Sequence, residues 1–125
     1  MNTSILTDVK KHLGLDGDYT CFDPDVIIGI NSAFMNLADL GVGPSVPFRI
    51  EGADETWADF FGEETDPGKL ALLGFIKEYI PLRTRLMFDP PTSGFVLEAI
   101  QKRIDELEWR MNINAEELDE EVDDE

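Results

Sequence analysis

The run Leu70-Ala71-Leu72-Leu73-Gly74-Phe75-Ile76 is apolar on every side, and it constrains the chain more than any other feature. A helix without a polar face has to be surrounded by other elements, so this segment predicts the central helix of the fold. Asp66-Pro67 opens it, an N-cap carboxylate followed by proline at the first helical position, and the pattern runs on to about Phe88. Pro81 falls inside. It has no amide to donate and crowds the carbonyl four residues back, so the reading expects a bend or a division near Tyr79.

The same Asp-Pro signature recurs at Asp23-Pro24, followed by Val26, Ile27, Ile30, Phe34, Leu37 and Leu40 at helical spacing, with Gly41 as the stop. Ahead of it, Ile5, Leu6, Val9 and Leu13 share one face of a helix that Thr3 or Ser4 can cap and Gly14 can end. Leu15 to Phe22 reads as a loop. The connector Val42 to Phe48 contains Gly43, Pro44 and Pro47 and is not helical, while Phe48-Arg49-Ile50 suits a brief extended piece. Asp54 is the expected cap of a one- or two-turn helix ending at Phe61, before Gly62. Asp89-Pro90-Pro91 forces a break, and Thr92 or Ser93 caps a last helix reaching about Asn112. The expected architecture is all-α: four main helices, one short extra helix and a loop-rich middle. It forms one domain over 1–113, followed by a flexible acidic tail over 114–125.

The last helix has two apolar faces. At 100° per residue, Val96, Ile100, Ile104, Leu107 and Met111 fall within about 80°, an ordinary core stripe. Phe95, Trp109 and Ile113 lie about 150° from its centre. Two readings are open. Trp109 and Ile113 pack on the loop before the helix, or this face is an interface with another subunit or partner, where aromatic residues are enriched. In the tail, Leu118 and Val122 stand four residues apart among carboxylates, so a partner could induce a turn or two of helix there.

Charge and residue usage exclude several function classes. Against 10 basic residues stand 27 acidic ones, a net charge of −17, which repels phosphates and leaves no footprint of a nucleic-acid binder. Eight of those acids lie between Glu116 and Glu125. The single cysteine, Cys21, rules out an internal disulfide or a paired-cysteine zinc site and is expected to be buried as a small apolar residue. The single histidine, His12, suits the carbonyl end of the first helix. Asp16-Gly17-Asp18 begins like a calcium loop, but Cys21 stands where glycine is needed and Ile27 where glutamate is needed. Gly41-Val42-Gly43-Pro44 completes no phosphate loop. Both Asp-Pro carboxylates are read as helix caps. Arg83, Arg85, Lys102, Arg103 and Arg110 are expected to be solvated or paired with Glu98, Asp105, Glu106 and Glu108. No spacing recommends a catalytic pair, a metal site or a cofactor; the chain is not expected to be an enzyme. The N-terminus has no basic leader and no apolar run of membrane-spanning length, so a soluble protein assembled inside the cell is expected.

Several stretches carry a likeness. They are Phe22-Asp23-Pro24-Asp25-Val26-Ile27-Ile28, Ile30-Asn31-Ser32-Ala33-Phe34, Leu40-Gly41-Val42-Gly43-Pro44 and Thr56-Trp57-Ala58-Asp59-Phe60-Phe61. The most specific pieces are Arg85-Leu86-Met87-Phe88-Asp89-Pro90-Pro91-Thr92-Ser93 and Leu107-Glu108-Trp109-Arg110-Met111-Asn112. Over about residues 4 to 113 the chain resembles the head–tail connector proteins of long-tailed bacteriophages. Pro81 departs from the unbroken helix expected of that family. The resemblance implies a virion protein that assembles as a ring, typically of twelve copies, on the portal vertex after DNA packaging. Such a ring closes the head, extends the DNA channel without gripping the duplex and docks the next neck protein. It also implies that the C-terminal part, Trp109 to Ile113 and the tail beyond with Leu118 and Val122, reaches the portal. A different reading of the same acidity is a DNA mimic that inhibits a DNA-binding protein; carboxylates gathered in a flexible tail suit that less well.

Overall fold

The computed structural model describes residues 3–43, 47–62 and 66–123, with side chains described as far as Ile113. It contains five helices and, among the described residues, no strand: α1 (Ile5–His12), α2 (Asp23–Asp39), α3 (Trp57–Phe61), α4 (Pro67–Phe88) and α5 (Gly94–Asp123). The all-α expectation holds. α4 is the central helix, packed against α1, α2 and α5, but its apolar run is not surrounded on every side: Leu72, Leu73 and Ile76 are buried, whereas Ala71 and Gly74 are exposed. Leu72, Leu73, Ile76, Tyr79 and Ile80 enter one core with Val26, Ile30, Phe34 and Leu37 of α2 and Ile104, Leu107 and Met111 of α5.

Three expected caps are in place, with Ser93 accepting from the amide of Val96 at the start of α5. Ser4 accepts from the amide of Thr7 at 3.2 Å and Asp66 from that of Lys69 at 3.1 Å. Asp54, by contrast, is not the cap of α3. Thr56 caps it in a reciprocal capping box with Asp59, each side chain accepting the other's backbone amide. The choice is tertiary: Thr56 forms an isolated bridge with Ser4, and the amide of Ile5 donates to the carbonyl of Glu55, so the starts of α1 and α3 are stitched together.

α4 runs unbroken across Pro81, so of the expected bend or division the division does not occur. Packing on α2 along one side and α5 along another holds the helix where its own hydrogen bonding has a gap, because tertiary burial supplies most helical stability. The extended piece at Phe48–Ile50 does not join a sheet. The side-chain amide of Asn31 takes a strand's place, donating to the carbonyl of Ile50 at 3.0 Å and accepting from its amide at 2.8 Å. That clamp seats Ile50 in the core and sets Phe48 against Phe34 and Phe60.

The last helix continues to Asp123, beyond the Asn112 at which its apolar periodicity stops. Asn112 turns inward at that point and donates to the carbonyl of Leu40, satisfying the open end of α2 at 3.0 Å. The roles expected of Leu118 and Val122, and the flexibility expected of the acidic tail, fall on side chains outside the described residues.

Candidate docking surfaces

The two-faced character of α5 is present in the fold. Ile100, Ile104, Leu107 and Met111 are buried, whereas Phe95 is 82% and Trp109 63% exposed, and Ile113 is half-buried. The reading in which Trp109 and Ile113 pack on the preceding loop therefore fails for Trp109. The helix arithmetic puts Phe95 and Trp109 within about 40° of each other on one outer stripe, about 21 Å apart.

Val96 belongs by periodicity to the core stripe but is exposed. The reason is a groove of about 540 Å³ between the end of α1, the middle of α4 and the start of α5. Leu13, Pro81, Leu82, Phe95, Val96 and Ile100 form its apolar walls. Its rim carries Lys77, Arg85 and Arg103 against one carboxylate, Glu78, with His12 beside them. In a chain of charge −17, three of ten cations around one apolar opening is a marked concentration.

Arg103 ties the groove's two helices together. It grips Glu78 of α4 through Nε and through Nη2 at 2.8 Å, and also reaches Glu106 at 3.1 Å. Hydrogen bonding from Arg103, more than its charge alone, holds the carboxyl of Glu78 below the ordinary carboxylate range. Glu106 is lowered too, by hydrogen bonds from Arg110 and then Arg103. One turn away, the phenol of Tyr79 donates to Glu108 at 2.7 Å; burial, then that bond, raises its proton affinity far above the usual range. These groups brace α5 on α4.

A second exposed apolar face lies on α2. Ile28 is 61% and Met35 59% exposed. The arithmetic that separates Phe95 and Trp109 from the α5 core also places Ile28 and Met35 about 150° from the α2 core stripe. Extending it beyond α5 would have found them. Beside them a cleft of about 280 Å³ opens between α2 and α4, lined by Gly29, Ser32, Ala33, Asn36, Arg83 and Met87, among others. The helices approach closely there: a Cβ on Gly29 would lie 2.9 Å from Thr84 Cγ2.

Other candidates for chemistry resolve differently. Cys21 is exposed, not buried, because it sits in the turn before α2 with its side chain outside the core. Asp23 is not a cap. It is the first residue of α2, which has no side-chain cap, and its carboxylate pairs with Lys10 at 2.8 Å. No helix is long and apolar enough to cross a membrane, and no group of three metal-ligating side chains gathers among the described residues.

A sequence model of the phage connector protein family matches residues 5–118. The chain belongs to the phage connector protein family. No curated protein and no solved structure matches it. A member of this family is a structural component of the phage particle that joins head and tail parts, and this connector offers two outward apolar faces on a braced helical body.

Proposed function

We propose that this connector forms a ring at the head–tail junction, seated on the portal, closing the filled head and extending the DNA channel toward the next neck protein. The observation that carries this reading is Trp109: a large aromatic side chain held outward on α5, directly across the helix from fully buried Leu107 and Met111. An exposed tryptophan on a rigid helix is an anchor awaiting a partner, and its position near the C-terminal half of α5 suits contact with the portal. The net charge of −17 supports the channel role, because carboxylates around a lumen repel the duplex and let it slide. A ring uses two different patches per subunit, and the chain has separate apolar faces on α2 and α5.

The test is deletion of the gene in the phage or prophage that encodes it, followed by electron microscopy of the induced lysate. Filled or leaking heads beside unattached tails are expected. Normal tailed particles would remove the reading and turn attention to the acidic DNA-mimic alternative, checked by pull-down of DNA-binding proteins.

A further inference from the structure

The α2 face and the α4–α5 groove differ in a way that makes them complementary. On α2, Asp25, Ile28, Ser32, Met35 and Asp39 fall within about 80° of one another, so the outer stripe has an apolar centre with a carboxylate at each end. The groove has the reverse design, apolar walls formed by Pro81, Leu82, Phe95 and Val96 inside a rim of Lys77, Arg85 and Arg103. Of these cations, Arg103 is already engaged by Glu78 and Glu106, and Lys77 lies over the Trp57 ring. Arg85 on that rim makes no side-chain hydrogen bond or ion pair among the described residues, so its charge is available to a partner. The two surfaces also lie on different sides of the subunit. The groove residues of α4 (Lys77, Glu78, Pro81, Leu82, Arg85) centre about 160° around that helix from those facing α2 (Arg83, Leu86, Met87).

We infer that the outer stripe of α2 in one copy docks into the α4–α5 groove of the next, Ile28 and Met35 entering between Phe95, Val96 and Pro81 while Asp25 and Asp39 meet the cationic rim. The occupant is thus a second copy of this chain. A contact between two different patches on different sides of the subunit is heterologous, so it repeats from copy to copy instead of ending at a dimer. The inference rests on the proposed ring and names the surfaces that would build it. It also accounts for apolar side chains that an isolated subunit leaves in water, Ile28 and Met35 on one side and Phe95 on the other.

The experiment uses assembled particles. In a Cys21→Ser background, which removes the chain's one thiol, Met35→Cys and Phe95→Cys are introduced singly and together, and purified particles are treated with a short bis-maleimide. The double variant is expected to give a ladder of dimers, trimers and higher species on denaturing gels, and each single variant only monomer. A dimer from either single variant would overturn the pairing, because it reports a two-fold contact. A ladder from Phe95→Cys with Glu120→Cys, and none with Met35→Cys, would overturn it by seating the acidic C-terminal segment in the groove instead. If the double variant does not enter particles, Asp39→Cys with Arg85→Cys reads the same contact from its polar rim, with the same ladder expected. A lysine-reactive crosslinker on unmodified particles separates the two levels. A lysine ladder without a thiol ladder overturns this pairing alone, and monomer under both reagents overturns the ring.

Discussion

The ammonium group of Lys10 lies 2.8 Å from Asp23 Oδ1 and 3.0 Å from the carbonyl oxygen of Gly17, with 2% of its side chain reaching solvent. One buried cation thus joins three parts of the chain: the end of α1, the loop that leaves it and the start of α2. Asp23 contributes a carboxylate that the positive end of the α2 dipole also favours. The pair fixes the angle at which α2 leaves the loop, and with it the direction in which Ile28 and Met35 face outward.

The two halves of this pair are not equivalent. Asp23 is 23% exposed and can be rehydrated, whereas Lys10 cannot. Asp23→Asn therefore leaves a buried charge with only a carbonyl and a neutral amide for partners, and is expected to cost about 3 kcal/mol. Lys10→Met keeps the packing of the stem and is expected to cost about 1 kcal/mol. Urea unfolding followed by circular dichroism checks the order. A larger loss for Lys10→Met would show that the ion pair is not what holds the loop.

Two glycines in helices should respond oppositely to alanine. A Cβ on Gly29 would press on Thr84 Cγ2 at 2.9 Å and lie 3.4 Å from its Cα, and Thr84 is itself fixed by donating to the carbonyl of Ile80 at 2.7 Å. Gly29→Ala is expected to lose about 1–2 kcal/mol as the α2–α4 contact is forced apart, despite the better helix propensity of alanine. A Cβ on Gly74 meets nothing within 4 Å, so Gly74→Ala is expected to gain about 0.5–1 kcal/mol. Thermal melting of the two variants gives the signs directly.

Much of this fold is legible because its signals are local. Ser4, Asp66, the apolar run of α4 and the break at Asp89-Pro90-Pro91 each act within a turn or two of their own position. What escapes a reading along the chain is set by partners far away in sequence. Asp23 has every local mark of a cap, and only the fold brings Lys10 to it. Asp54 and Thr56 are both competent caps, and the bridge to Ser4 decides between them. Asn31 is an unremarkable polar residue inside a helix until Ile50 returns to it. Val96 obeys the core periodicity, but α1, α4 and α5 leave a gap at its level. Of the candidate surfaces, Phe95 and Trp109 could be read from helix geometry alone. Ile28 and Met35 were readable by the same arithmetic, but the cationic rim was not, since Lys77, Arg85 and Arg103 converge only once α4 and α5 pack.

The Arg103 bridge predicts a pH dependence of known sign. The carboxyl of Glu78 has its proton affinity lowered in the folded state, so its contribution is fully present above the ordinary value near 4.5 and is lost as pH falls through the lower folded value. Both partners are partly exposed, which limits that contribution to less than about 1 kcal/mol. Glu78→Gln should therefore melt a few degrees below the unmodified protein at pH 7, with the gap closing progressively below about pH 4.5. A gap that persists unchanged at pH 3 would mean that the amide disturbs packing, not charge.

Trp109 separates folding from assembly. Its side chain is largely in water, so Trp109→Ala is expected to change unfolding free energy by no more than about 0.5 kcal/mol. In particles its loss should be far larger, because an aromatic anchor that becomes desolvated at an interface commonly accounts for 2 kcal/mol or more of binding. The measurement is complementation of a gene-deleted phage with the variant, scoring infectious particles and the amount of connector bound to filled heads. Folded protein that fails to bind heads is the expected result. Full complementation would show that Trp109 has no partner at the head–tail junction and would leave the α2 face and the α4–α5 groove as the surfaces that matter.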